Sequence, residues 1–258
     1  MSAGSGLWPR EHGATMELGF PLASAWLLGR PGIAAMALGV ASILLFLSHE
    51  PVLILTGGRG ARRRTDLGPA AARRAMMLLA LGVPVTVLGV WDASPLARLL
   101  LLVPAVLGGV AMLLASTGRE RSLWGEAWVA LTLSSLALPV GVAGGLPVDR
   151  AIEIVAVWTI GFSVATVAAR AVAFQKKDRG RLLRATAFAA VLVIAGCVGT
   201  AAALWLTPPV ALAPLPFAVT ALVVSLRPPS PKHMTTIGFV LTGACTLTLL
   251  SLALAGAP

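Results

Sequence analysis

Charge is scarce in this sequence. Asp, Glu, Lys and Arg make up 12% of its 258 residues, about half the roughly 25% usual in soluble globular proteins, while 57% of the residues are hydrophobic and the mean hydropathy is +0.90. A water-soluble core cannot absorb that much apolar surface, so the composition excludes a soluble globular chain. Cysteine is almost missing. Cys197 and Cys245 each lie in an apolar stretch without a partner at metal-ligand spacing, which argues against a disulfide framework and for small packing residues. No H-x-x-x-H, H-E-x-x-H or G-x-S-x-G appears, no Ser-His-Asp order is visible, and the one glycine run, Gly57-Gly58-Arg59-Gly60, lacks the Gly-Lys-Ser/Thr of a phosphate-binding P-loop. The sequence therefore offers no zincin, nucleophile-elbow or P-loop reading. Residues 1–13 hold one basic residue, no apolar h-region and no small-residue cleavage site, and are expected to stay in the cytoplasm rather than act as a signal peptide.

Long apolar runs are what the sequence does have. A helix needs about 20 apolar residues to cross the hydrocarbon, and runs between charges and Pro/Gly turns predict nine spans, near 13–29, 33–56, 75–92, 97–116, 123–146, 151–174, 184–206, 210–226 and 234–256. The charges check the count. Of 20 Lys and Arg, 17 fall at Arg10, in Arg59–Arg74, at Arg119 and Arg121, in Arg170–Arg184, or at Arg227 and Lys232, which places them before span one and in every second gap thereafter. Only Arg30, Arg98 and Arg150 lie in the other gaps. Cytoplasmic loops of membrane proteins hold the excess of Lys and Arg. The prediction is an all-α, polytopic transmembrane bundle of about nine helices, a single membrane domain over residues 1–258, N-terminus cytoplasmic and C-terminus outside. Pro21 in span one and Pro214 and Pro216 in span eight predict a kink or an incomplete crossing there. The net charge of +10 sits as collars beside apolar spans, a pattern that fits anionic lipid headgroups rather than nucleic acid.

Ionisable groups at membrane depth are costly and so are candidates for function. Glu11, His12 and Glu17 open span one, His49 and Glu50 lie towards the inner end of span two, Glu126 enters span five, Arg170 ends span six and His233 opens span nine. All three histidines thus fall at the predicted cytoplasmic boundary. One reading makes these residues the lining of a cytoplasm-facing polar pocket, with His and Glu as proton carriers or hydrogen-bond partners. The other makes them helix-end groups that snorkel to the interface and cap their helices. Imidazole and carboxylate together suit Zn or Fe, yet no ligand spacing supports a metal, and none is assigned. Arg59, Arg62, Arg63 and Arg64 follow the glycine run, where guanidinium forks match phosphate or diphosphate oxygens; lipid phosphate and topology account for them equally. Lys176, Lys177 and Arg179, in FQKKDRGRLLR, carry the same two readings. Trp8, Trp26, Trp91, Trp124, Trp128 and Trp205 fit interfacial belts, and Trp158 lies deeper.

The stretches WPREHGA, LFLSHEPVLILTGGRGARRR, GEAWVAL and PKHMTTIGF resemble the YwiC-like family of bacterial integral membrane proteins. That resemblance implies a bacterial inner-membrane protein, brings no activity with it, and directs attention to Arg10, Glu11, His12, His49, Glu50, Glu126 and His233. A looser likeness, in topology, is to the UbiA-type membrane prenyltransferases. It implies nine helices, an inside N-terminus and active-site loops after helices two and six, where this chain places its two most basic loops. Asp-rich motifs in those enzymes hold Mg²⁺ against a prenyl diphosphate; this chain has His49, Glu50 and a lone Asp66 in the first region and only Asp178 in the second. The function expected is therefore the binding or handling of a small anionic or amphipathic molecule in a cytoplasm-facing pocket lined by His and Glu, with membrane lipids and a small anionic or isoprenoid ligand as the expected partners, and with a divergent prenyl-diphosphate transferase or a transporter as the alternatives.

Overall fold

The computed structural model describes residues 12–173, 210, 212–226, 230 and 234–256. These are helical, with no strand among them. The helices are α1 (His12–Leu28), α2 (Ile33–Leu55), α3 (Ala61–Asp92), α4 (Pro95–Leu100), α5 (Leu102–Ser116), α6 (Leu123–Ser135), α7 (Ala137–Ala143), α8 (Val148–Ala173), α9 (Leu215–Leu226) and α10 (Met234–Gly256), with a 3-10 turn at Arg119–Arg121. Six stretches among the described residues are long and apolar enough to cross a membrane: α2, α3, α4 with α5, α6 with α7, α8 and α10. The 17 residues of α1 reach about 25 Å at 1.5 Å per residue, just short of a hydrocarbon core of about 30 Å. The expected span 184–206 and Cys197 lie outside the described residues.

Proline explains the two interrupted spans. Pro104 lies three residues after the break at Leu101, and Pro139 three residues after the break at Leu136. In each case the ring collides with the carbonyl four residues back and offers no N–H to it, so the helix stops and restarts. Pro84 in α3 and Pro51 in α2 are carried within continuous helices. Expected span eight is shorter than its apolar run: a turn at Ala213–Pro214 precedes α9, whose 12 residues reach about 18 Å.

The chain divides into two compact units, Met1–Ala151 and Ile152–Pro258. In the first, α2 packs against both α3 and α7, α1 against α6 and α7, α5 against α6, and α4 against α7. The α2–α3 hairpin is antiparallel along its whole length. Leu38 meets Gly89 at one end, Leu44 meets Gly82 midway, and Ile54 meets Ala71 at the other. Without a side chain, Gly89 lets Leu38 approach its backbone, the close packing that replaces a hydrophobic driving force between helices in lipid. At 32 residues, α3 measures about 48 Å. It begins at Ala61 rather than near residue 75, because nine of the fourteen residues of the arginine-rich segment 61–74, expected as a loop, are Ala or Arg, which favour helix. Many large apolar side chains of α3, α4 and α5 are exposed, among them Met76, Leu81, Leu88, Leu99 and Val106, as surfaces turned to lipid require.

The end of this hairpin remote from its turn is closed by two polar contacts. Asp92 Oδ2 accepts the Ala34 N–H at 3.1 Å, satisfying one of the four orphan donors of α2 and placing negative charge at its positive end. Arg98, one of three basic residues outside the predicted cytoplasmic gaps, donates to the Trp91 and Ala93 carbonyls at 2.7 and 2.9 Å and so caps α3. Its position is a structural requirement of the hairpin. Asp92→Ala is expected to lower stability by about 1 kcal/mol, the usual loss of a capping side chain. Asp92→Asn, which keeps an oxygen acceptor, should recover most of it, as read by thermal unfolding in detergent.

The second unit is built on α8, α9 and α10. Val164, Ala168 and Val172 pack with Ala221, Val224 and Ile237. Trp158 stacks on Phe162 at 5.3 Å between ring centroids, and both meet Phe217 edge-on. Trp158 is therefore a buried packing residue. The buried Thr248 hydroxyl donates to the Ala213 carbonyl at 3.0 Å, tying α10 to the turn that starts α9. Cys245 is buried.

Candidate functional site

Glu50 is the site's anchor. It sits five residues before the end of α2 with its side chain 5% exposed, where an uncompensated carboxylate would be expensive. The compensation comes from the glycine turn. Gly57 and Gly60 hold φ of 83° and 92°, and at Gly60 the accompanying ψ of 152° belongs to a region essentially restricted to glycine. Between them Arg59 is turned back onto α2. Its Nε lies 3.2 and 3.0 Å from the two Glu50 carboxylate oxygens, and its Nη2 lies 2.7 Å from Oε2. This is the planar, two-nitrogen engagement that arginine geometry favours. Arg63, in the first turn of α3, stands 3.7 Å from Glu50 Oε1.

The remaining arm of Arg59 reaches a third element. Its Nη1 donates to Glu120 Oε1, and Glu120 is in the 3-10 turn joining α5 to α6. That turn is pinned beneath α6. Ser122 caps the helix by accepting the Gly125 N–H at 3.0 Å, and Gly125 has no side chain because one would collide with the Arg119 and Glu120 carbonyls. One guanidinium thus joins α2, the α2–α3 turn and the α5–α6 turn. Burial works against the charge of Arg59, but its hydrogen bonds to Glu50 and Glu120 outweigh that and hold its pKa above the ordinary arginine value. A raised pKa means that this cation contributes fully at every pH below its unfolded value, so Arg59 is invariant across the physiological range. With two carboxylates and two guanidiniums, the cluster is formally neutral.

The structure joins residues that the sequence suggested for two different purposes. Glu50, expected in the polar pocket, is bound to Arg59 and Arg63, expected to cradle phosphate. His49 is half-buried and lies within electrostatic reach of Arg59, Glu50 and Glu120. Arg62 and Arg64 are exposed, and the Arg62–Asp66 pair, 3.9 Å apart with side chains 97% and 63% exposed, is a solvated contact of negligible weight. Glu17 and Glu126 are half-buried on α1 and α6, two helices that pack together, and Glu126 is in the first turn of α6, where a negative charge complements the helix dipole. Arg170 closes α8 in the second unit. Arg10, Glu11, Lys176, Lys177, Arg179 and His233 lie outside the described residues, as does the His12 side chain.

Glu120 is the member that sequence reasoning missed. Its signal was an acidic residue between Arg119 and Arg121 in a gap assigned to the same side of the membrane as Arg59. Among the described residues, no three His, Cys, Asp or Glu side chains converge as metal ligands.

No curated protein and no solved structure matches the chain. The family model described as YwiC-like protein matches residues 8–140, which includes all of α1 to α6, the glycine turn and every member of the ion cluster. That is 133 of 258 residues. Together with six apolar helices of membrane-spanning length, it shows that the chain is a multi-pass membrane protein and belongs to the YwiC-like family.

Proposed function

We propose that this protein binds a small anionic or amphipathic molecule at the cytoplasmic face of the bacterial inner membrane. In the nine-span, N-terminus-inside topology expected from the distribution of Lys and Arg, the Glu50–Arg59–Glu120 cluster belongs at that face. The observation that carries the reading is Glu50, a carboxylate buried near the end of a membrane helix and held by two arginines. Such a group is costly to keep in an apolar setting, and its partners fix the geometry around His49. The neutral cluster forms a rigid base, and exposed Arg62 and Arg64 supply the positive potential that attracts an anionic headgroup. Glu17 and Glu126 extend the polar lining along α1 and α6, and membrane lipids are the nearest source of such ligands.

Native mass spectrometry of protein extracted from its own membrane tests this. The wild type is expected to retain an anionic or isoprenoid amphiphile near one-to-one. His49→Ala/Glu50→Ala should lose it while still inserting, and Arg62→Ala/Arg64→Ala, confined to exposed side chains, should retain less than half. Bulk phospholipid carried equally by all three proteins sinks the reading. A polyprenyl diphosphate retained only with Mg²⁺ would turn it towards the prenyl-transferase alternative.

A transporter is the second reading, and it is supported by the two interrupted spans. α4 packs on α7 and α5 on α6, so the breaks at Leu101 and Leu136 occur in neighbouring helices, and discontinuous helices at mid-membrane are a recurring way to build transport sites.

A further inference from the structure

The hydroxyls of α8 share one face and one half of the helix. Thr159, Ser163, Thr166 and Arg170 follow the i, i+4, i+7, i+11 spacing that sets residues in a single row along a helix. The row is opposite the packed face, where Val157, Val164, Ala168 and Val172 are buried and the last three join the core shared with α9 and α10. All four members of the row are half-buried. Where α3 and α5 expose a face, it carries Met76, Leu81, Leu88, Val106 and Leu113, as lipid requires. Three hydroxyls and a guanidinium are a poor match for hydrocarbon. Nearer the start of α8 the same row holds Ile152 and Ala156, so it is polar only over the half that ends at Arg170.

Thr159, the deepest polar member, does not follow the usual pattern of a hydroxyl in an apolar helix. In the helices packed with α8, Thr220, Thr242, Thr246 and Ser251 each donate to the carbonyl four residues back, at 2.7 to 3.0 Å. Thr159 Oγ1 is buried and has no hydrogen-bond partner among the described residues. A buried unsatisfied hydroxyl opposes folding, and a solute that supplies the missing bond removes that cost. Thr159 stands 11 residues from Arg170, about 16 Å along the axis, which reaches the middle of a hydrocarbon core about 30 Å thick. Hydroxyls both donate and accept, and such groups lining a route set which solutes it admits. Arg170 is at the mouth and already has an interaction partner. No ionisable side chain accompanies Ser163 or Thr159 on this face, so an ion at that depth would find no counter-charge on it.

We propose that the Thr159–Ser163–Thr166 face of α8 lines a hydrated path that is entered at the Arg170 end, closes at Thr159 and takes a small uncharged hydrogen-bonding solute such as a polyol. The distribution of Lys and Arg assigns the entrance to the cytoplasm. The path uses no residue of the Glu50–Arg59–Glu120 cluster and is tested without the ligand proposed for that cluster.

Cysteine reactivity reads hydration directly, because the thiolate is the reactive form and an apolar setting suppresses it. The experiment replaces Thr159, Ser163 and Thr166 one at a time by Cys in the full-length Cys197→Ala/Cys245→Ala protein in proteoliposomes. Val164→Cys is the packed control and Leu81→Cys the lipid-facing one, and labelling in SDS verifies that every variant carries its thiol. Ser163→Cys and Thr166→Cys are expected to react with hydroxyethyl methanethiosulfonate at least tenfold faster than either control. Thr159→Cys should react more slowly than those two but faster than the controls. It should also resist the sulfonatoethyl and trimethylammonioethyl reagents, which are charged. Rates for Ser163→Cys and Thr166→Cys no higher than the controls overturn the path and make the row a packing or lipid-facing surface. So does a Thr159→Cys protein inert to all three reagents, since the path then ends short of the unsatisfied hydroxyl. Thr159→Cys modified by the charged reagents as fast as by the uncharged one overturns the solute assigned to it.

Discussion

Arg59→Ala is expected to destabilise the protein by about 3–5 kcal/mol, the loss seen when one partner of a buried ion pair is removed and the other charge is stranded. The stranded charge is Glu50, whose side chain is 5% exposed. Arg63, at 3.7 Å, is too distant to replace three hydrogen bonds. Removing Arg59 also releases Glu120 and with it the α5–α6 turn, so the effect spreads over three elements. Glu50→Gln should cost less, because Arg59 keeps Glu120 and the amide still accepts one hydrogen bond. Glu120→Gln should cost least, about 1 kcal/mol, as a neutral acceptor replaces a charged one. Arg59→Lys is expected to fall between wild type and Arg59→Ala, since an ammonium supplies the charge but not a fork that reaches Glu50 and Glu120 together. The diagnostic comparison is the double variant Glu50→Gln/Arg59→Met. A buried ion pair exchanged for groups that need no counter-charge is often close to neutral, so the double variant should be more stable than Arg59→Ala alone. Thermal midpoints in one detergent would rank the series. An Arg59→Ala protein that unfolds with the wild type would mean that the cluster contributes nothing to the fold.

The elements that the sequence made legible are those governed by composition along the chain, and those it hid depend on what meets across the bundle. Uninterrupted apolar runs predicted α2, α8 and α10 within a few residues, because chain length against membrane thickness is a one-dimensional constraint. The breaks at Leu101 and Leu136 were legible only as Pro104 and Pro139 inside expected spans. A proline in a membrane helix is either carried, as at Pro84, or breaks it, and the difference rests on neighbours. The beginning of α3 was misplaced because positive charge was read as loop, although arginine is a good helix former. For the site, burial cost singled out Glu50 and the glycine turn singled out Arg59. Their union required Gly57 and Gly60 to reverse the chain by an amount that no local pattern specifies. Glu120 lies 61 residues from Arg59, a separation over which the sequence carries only the hint of one acid among arginines.

Gly161→Ala is expected to destabilise the second unit by about 1–3 kcal/mol, the usual cost of overpacking, even though alanine is preferred to glycine in a helix by about 1 kcal/mol. A methyl group on Gly161 would sit 2.6 Å from Phe217 Cδ2 and 2.7 Å from Cε2, inside any tolerable contact. The ring cannot retreat, because it meets Trp158 and Phe162 edge-on at centroid distances of 6.0 and 5.6 Å and all three side chains are buried. In lipid there is little transfer free energy to be gained by bringing apolar helices together, so interdigitated packing of this kind holds α8 to α9. Displacing Phe217 therefore acts on the α8 attachment of a 12-residue helix, which also packs on α10 and is too short to cross a bilayer alone. Two companions separate the clash from a general response to substitution. Gly109→Ala, in α5 where a methyl group would meet nothing within 4 Å, should be neutral or slightly stabilising. Gly161→Ala/Phe217→Leu, which removes the ring edge that the methyl group strikes, should recover at least half of the single-variant loss. If Gly161→Ala unfolds at or above the wild-type midpoint, the aromatic cluster yields to the methyl group and helix propensity decides stability at this position.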